Sequence, residues 1–83
     1  MNDSKSLTIK YFAALREIAK VVEETIDTQS QTPRELYAEL SSRYGFYLSE
    51  RDVKVAVNGA FEEMDYKFKK DDVVAFIPPV GGG

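Results

Sequence analysis

Apolar and polar residues alternate over Leu7-Thr8-Ile9-Lys10-Tyr11-Phe12, the period of a strand with one wet face. From Ala13 to Lys20 the spacing changes to Leu15, Ile18 and Ala19, which predicts a short helix. Val21 to Thr28 returns to an extended, β-branched pattern in which Glu23 and Glu24 mark a solvated edge. These two strands are expected to pair like a hairpin, with the short helix in their connection. Thr32-Pro33-Arg34-Glu35 has the form of a capping box: a threonine N-cap, proline at the first helical position and a glutamate that reaches back. Leu36, Tyr37, Leu40 and Tyr44 then share one helix face, and Gly45 supplies a left-handed stop. In the second half Val53, Val55 and Val57 alternate with Lys54 and Ala56. Asn58-Gly59 predicts a type I′ hairpin turn into Ala60-Phe61-Glu62. Asp71-Asp72 turns into a last strand, Val73 to Ile77, which Pro78 ends by removing a ladder donor.

The order of elements predicts an α+β domain: a mixed sheet of about five strands with one main helix and one short helix. First and last strands would lie side by side at the sheet centre. A ubiquitin-like β-grasp has this order; periodicity alone leaves a ferredoxin-like sandwich open, although only one long capped helix is available. Strand parity adds a second expectation. With Ile9, Tyr11, Val55, Val57, Val74 and Phe76 facing the helix, the far side holds Phe12, Lys54, Ala56, Ala75 and Ile77. Phe12, Phe61 and Ile77 are then apolar groups left over once the core is filled, and a cluster of that kind suggests a partner interface. Tyr11 is expected in the core.

Composition narrows the chemistry. Eighty-three residues make one domain, 1–83, with 43% hydrophobic and 30% charged residues, a balance that argues for a folded chain. There is no cysteine and no histidine, which removes thiol nucleophiles, thiolate metal sites and the commonest general base. A stand-alone enzyme is therefore not expected, and no metal site is expected. The net charge of −3 argues against nucleic acid as a partner, and no apolar run has the length of a membrane span. The expected location is the cytoplasm. The last strand runs into Pro78-Pro79-Val80-Gly81-Gly82-Gly83. Glycine has no Cβ to restrict the backbone, so ordering this tail, 78–83, carries a large entropy penalty. A frayed end is the ordinary reading. The alternative is functional: a tail without side chains enters a channel too narrow for other residues and presents the carboxylate of Gly83 to a partner's chemistry. From Val80 to Gly83 it would reach about 13–14 Å.

Phe12-Ala13-Ala14-Leu15-Arg16-Glu17, Val55-Ala56-Val57-Asn58 and the closing block from Asp71 to Gly83 resemble, in this order, the small subunit of molybdopterin synthase. The resemblance spans the chain, and its Phe76-Ile77-Pro78-Pro79-Val80 run before the glycines is more specific than a bare Gly-Gly. Gly81 is a mild departure from the family pattern. The resemblance implies a ubiquitin-like sulfur carrier. In that family an activating enzyme adenylates the terminal carboxylate, here Gly83, with ATP and Mg²⁺, and a sulfurtransferase converts it to a thiocarboxylate. The tail, including Pro78, Pro79, Val80, Gly81 and Gly82, then enters the large subunit, where sulfur passes to cyclic pyranopterin monophosphate. The implied assembly is a 2:2 heterotetramer, with no cofactor held permanently by the small subunit. By the same resemblance Phe12, Phe61 and Ile77 fall where the family meets its large subunit.

Gly83 would thus be a covalent participant, with acid-base groups supplied by the partner. Lys67, Lys69 and Lys70 form a basic run that either steers a partner or is a solvated loop, the latter being the plainer reading. Arg16 and Glu17 either hold the short helix against the strand end through polar contacts or meet the partner, the structural role being the favoured expectation. Related readings are a sulfur carrier for thiazole synthesis or tRNA thiolation, and a ubiquitin-like modifier joined to lysines.

Overall fold

The computed structural model describes residues 4–79. The chain runs β1 (Lys5–Tyr11), α1 (Ala13–Ala19), β2 (Glu23–Thr28), α2 (Pro33–Tyr44), a short 3₁₀ turn (Glu50–Asp52), β3 (Lys54–Val57), β4 (Ala60–Glu62) and β5 (Val73–Ile77). The strands form one sheet in the order β2-β1-β5-β3-β4. β1 and β5 are parallel at its centre and every other pair is antiparallel. This is the ubiquitin-like β-grasp with its mixed five-stranded sheet and two helices.

Local sequence accounts for most boundaries. The Thr32 hydroxyl accepts the Glu35 amide at 3.2 Å, Pro33 opens α2, and Gly45 closes it at φ 79°. Glu35 reaches back one residue further than a simple capping box requires, accepting the Gln31 amide at 2.7 Å. Asn58 and Gly59 have φ 53° and 90°, the left-handed pair that a type I′ turn needs. The Asn58 side chain then bonds across to β5, accepting the Val73 amide at 2.9 Å and donating to Asp72 Oδ1 at 2.9 Å. Asp72 is buried, and its other oxygen accepts the Lys69 amide at 2.8 Å and the Tyr66 hydroxyl at 3.3 Å. A buried carboxylate is tolerated when its lone pairs are met in this way. The network fixes where β5 begins.

Alternate side chains of the three central strands, Leu7, Ile9, Tyr11, Val74, Phe76, Val55 and Val57, pack beneath Leu36, Tyr37 and Leu40 of α2. Aromatic rings fill the end of this core. Tyr11 meets Tyr44 edge-on at 5.9 Å, and Tyr37 lies 5.4 Å from Phe76. Glu24 faces inward from β2, and one of its oxygens accepts the hydroxyls of both Tyr11 and Tyr44 at 2.6 Å. An inward carboxylate on an edge strand also discourages strand addition by another chain.

Burial, then the hydrogen bond to Glu24, pushes the Tyr11 phenol well above its ordinary value; for Tyr44 the Glu24 bond comes first and burial second. Both phenols therefore stay protonated longer folded than unfolded. Their contribution is complete below about pH 10, where unfolded tyrosines begin to ionise, and is lost as pH rises towards the folded-state values. The urea midpoint, followed by circular dichroism, should fall steadily above about pH 10. In Tyr11→Phe/Tyr44→Phe that fall should be shallower; an unchanged slope would remove these phenols from the alkaline transition.

Candidate functional site

Because β1 and β5 are parallel, their carboxyl ends leave the sheet at the same edge. Tyr11 is in register with Phe76, so Phe12 follows beside Ile77. β3 runs the other way and places its first residue, Lys54, across from Ile77. Pro78 is buried and Pro79 exposed, so the chain leaves the folded body between them. Val80, Gly81, Gly82 and Gly83 lie outside the described residues.

The helices cover one face of the sheet, and the opposite face carries the predicted apolar cluster. One row of that face crosses all five strands: Glu23, Lys10, Ala75, Ala56 and Phe61 are neighbours in register. Ala56 and Ala75 have almost no side chain and make a low floor. Phe61 stands at one side, 71% exposed, on a strand of only three residues. Phe12 is 41% exposed and Ile77 half-buried at the edge where the tail departs. The three residues expected at an interface thus share one face, with the exit of the tail beside them. Phe61 also borders a cleft of about 280 Å³ that Lys54, Glu62 and Glu63 help to line.

Phe12 reaches this face by continuing the β1 alternation with an extended backbone, φ −131° and ψ 150°, and the chain turns only after it, at Ala13. The φ of 50° at Ala13 is left-handed, a conformation that residues other than glycine and asparagine rarely adopt. The sharp bend takes the chain from β1 into α1, and the Phe12 carbonyl then accepts the amides of Leu15 and Arg16 at 3.1 and 3.3 Å. Phe12 is the N-cap without a side-chain cap, so the usual signal of a helix start is missing from the sequence.

Other expectations are corrected or refined here. Arg16 and Glu17 are exposed, and neither side chain makes a hydrogen bond or ion pair among the described residues, so polar contacts do not hold α1. Leu15 and Ala19 hold it by burial. Lys67, Lys69 and Lys70 are exposed on a loop pinned by buried Phe68, which fits the solvated reading. Among the described residues no group of acidic side chains is arranged to hold a metal ion, and no helix is long and apolar enough to cross a membrane. Sequence reasoning missed Lys10 as a neighbour of the apolar strip. Its place opposite Ala75 follows from the register of β1 against β5, for which the sequence has no local mark.

The ThiS family model matches residues 9–83. Among solved structures, a Pyrococcus furiosus protein described as a "putative molybdopterin converting factor, subunit 1" is similar at 34% identity and a TM-score of 0.76, over 93% of this chain and 100% of that one. SAMP1 of Haloferax volcanii is similar at 24% identity and a TM-score of 0.74, over 94% and 99%. A complex of subunits 1 and 2 of the molybdopterin-converting factor of Helicobacter pylori contains a chain similar at 23% identity and a TM-score of 0.62, over 94% and 99%.

Proposed function

The chain belongs to the ThiS family of ubiquitin-like sulfur carriers, and from that premise we propose that it is the sulfur-carrying small subunit of a molybdopterin synthase. The observation that carries this reading is a juxtaposition. The central strand β5 delivers Pro79 beside the exposed apolar face formed by Phe12, Ile77 and Phe61, and Val-Gly-Gly-Gly follows it in the sequence. One face would dock a partner while the adjoining tail enters it. Similarity to the P. furiosus protein favours the molybdopterin pathway among the uses to which such carriers are put.

In this reading the Gly83 carboxylate attacks the α-phosphorus of ATP on an activating enzyme and expels pyrophosphate. The acyl-adenylate has a good leaving group where the carboxylate had none. Sulfide from a sulfurtransferase displaces AMP and leaves a thiocarboxylate. Its sulfur is then transferred to cyclic pyranopterin monophosphate in the large subunit, and water returns Gly83 to the carboxylate. This chain supplies the acyl group, the reach and the docking face; acid-base groups come from the partner. The large subunit, activating enzyme and sulfurtransferase are the proposed partners.

The test is the intact mass of the chain after incubation with its host's activating enzyme, ATP, Mg²⁺ and a sulfur donor. Replacement of one oxygen by sulfur, localised to Gly83 by fragmentation, is the expected result. Adducts joining Gly83 to protein lysines, without the sulfur form, would make it a modifier instead. An unchanged mass with a competent activating enzyme would overturn the carrier reading.

A further inference from the structure

The charges beside the apolar strip differ in sign from the chain as a whole. With 11 Lys and Arg against 14 Asp and Glu the chain is net −3, yet the ionisable residues that flank β5 on the open face are both lysines. Lys10 on β1 is in register with Ala75, and Lys54 on β3 with Ile77. Strand spacing and rise put their Cα atoms about 12 Å apart, on a diagonal across β5. Both are exposed, and neither side chain enters an ion pair or hydrogen bond among the described residues. Glu23 lies on the outer side of Lys10, across from it on β2. Glu63 follows β4 and shares the outer cleft with Lys54. Between the lysines the strip is apolar: Phe12, Ile77, Ala75 and Ala56.

We propose that the protein docking on this face presents an apolar centre and two carboxylate side chains placed to meet Lys10 and Lys54. The inference rests on the docking role given to this face above. An ammonium brought against an apolar strip and left unpaired loses its hydration with nothing in return. A partner apolar throughout would leave Lys10 and Lys54 only Glu23 and Glu63, on their outer sides and away from the strip, as acceptors. Carboxylates set at the rim let each lysine lay its methylenes on the strip and pair its head group, with charge-assisted bonds stronger than a neutral acceptor gives. A phosphate backbone fits less well, because Glu23 and Glu63 flank the lysines and would repel a continuous line of negative charge. Pairing at these two points fixes register and favours an acidic partner over a neutral relative, and it contributes chiefly to the association rate.

The test is calorimetric titration of the full chain with the large synthase subunit of the same organism, at about 50 mM and about 500 mM NaCl. At low salt Lys10→Glu/Lys54→Glu should bind about ten-fold more weakly or worse, and Lys10→Gln/Lys54→Gln by less. At high salt these differences should shrink, whereas Phe61→Arg, on the same face, should weaken binding at both. Melting temperatures should stay within a few degrees, since all three positions are exposed. If Phe61→Arg weakens binding while the lysine variants match the parent within about two-fold at low salt, the charge pairing is wrong and the docking face stands. If the parent itself fails to bind, the molybdopterin-synthase reading falls and this inference with it. Parent affinity that does not change with salt would also overturn the pairing, whether or not the variants fold.

Discussion

Deleting Gly83, or adding one residue after it, should abolish sulfur transfer and leave the melting curve where it was. On the proposed mechanism the loss should be nearly complete, because the reacting atom there is the terminal carbonyl carbon itself. A one-residue change moves that carbon by about 3.5 Å along an extended chain. Near-attack geometry holds reacting atoms about 3–3.5 Å apart, so a displacement of this size takes the group out of reach altogether. Stability should be indifferent, because the buried core of the described residues runs from Leu7 to Phe76 and Pro79, the last of them, is exposed. Two measurements decide the matter: thiocarboxylate yield by intact mass, and product formed with the large subunit. An extended chain that remained untrimmed and still supported product formation would rule out the tail mechanism.

Phe76→Ala should have the opposite signature, a large loss of stability. Phe76 is fully buried on the central strand, in register with Tyr11 on one side and Val55 on the other, with Tyr37 above it at 5.4 Å. Truncating a phenylalanine in such a place costs about 3–5 kcal/mol, part lost transfer free energy and part cavity. A chain of this length is stable by about 4–12 kcal/mol in all, so the variant should melt roughly 15–30 °C lower and populate the unfolded state at ordinary temperatures. Urea denaturation followed by circular dichroism measures it. A loss below about 1 kcal/mol would mean that the aromatic cluster collapses into the space. Partner binding should fall only in proportion to the unfolded fraction, which separates Phe76 from Phe61.

The contrast between these two phenylalanines was legible in the sequence, since strand parity alone put Phe76 inside and Phe61 out. Thr32, Gly45 and Asn58-Gly59 were legible for a related reason: each acts on its own backbone within a few residues. What escaped depends on partners distant in the chain. Glu24 reads as a wet edge residue because glutamate usually is one, but Tyr11 and Tyr44 bring it hydroxyl donors from β1 and α2. The left-handed Ala13 has no sequence mark, since alanine ordinarily avoids that conformation. Asp72 was visible as a turn residue, whereas its role as the acceptor for Asn58, Tyr66 and Lys69 required the β3–β4 turn and the β4–β5 connection to converge. For the site, the apolar members were predictable from alternation, whereas the place of Lys10 opposite Ala75 was not, because the expected adjacency of β1 and β5 leaves their register open.

That same parallel pairing has a mechanical consequence. A pull on the tail is delivered along β5, and β1 resists it through backbone hydrogen bonds from Thr8 to Tyr11 that all lie across the direction of force. When the opposing load enters through the start of β1, the strands are sheared past one another and those bonds bear tension together, whereas a hairpin pulled from its open end unzips one bond at a time. A partner that drew the carboxyl end into a tight channel, as proposed, would therefore pull on the strand that is least readily peeled away.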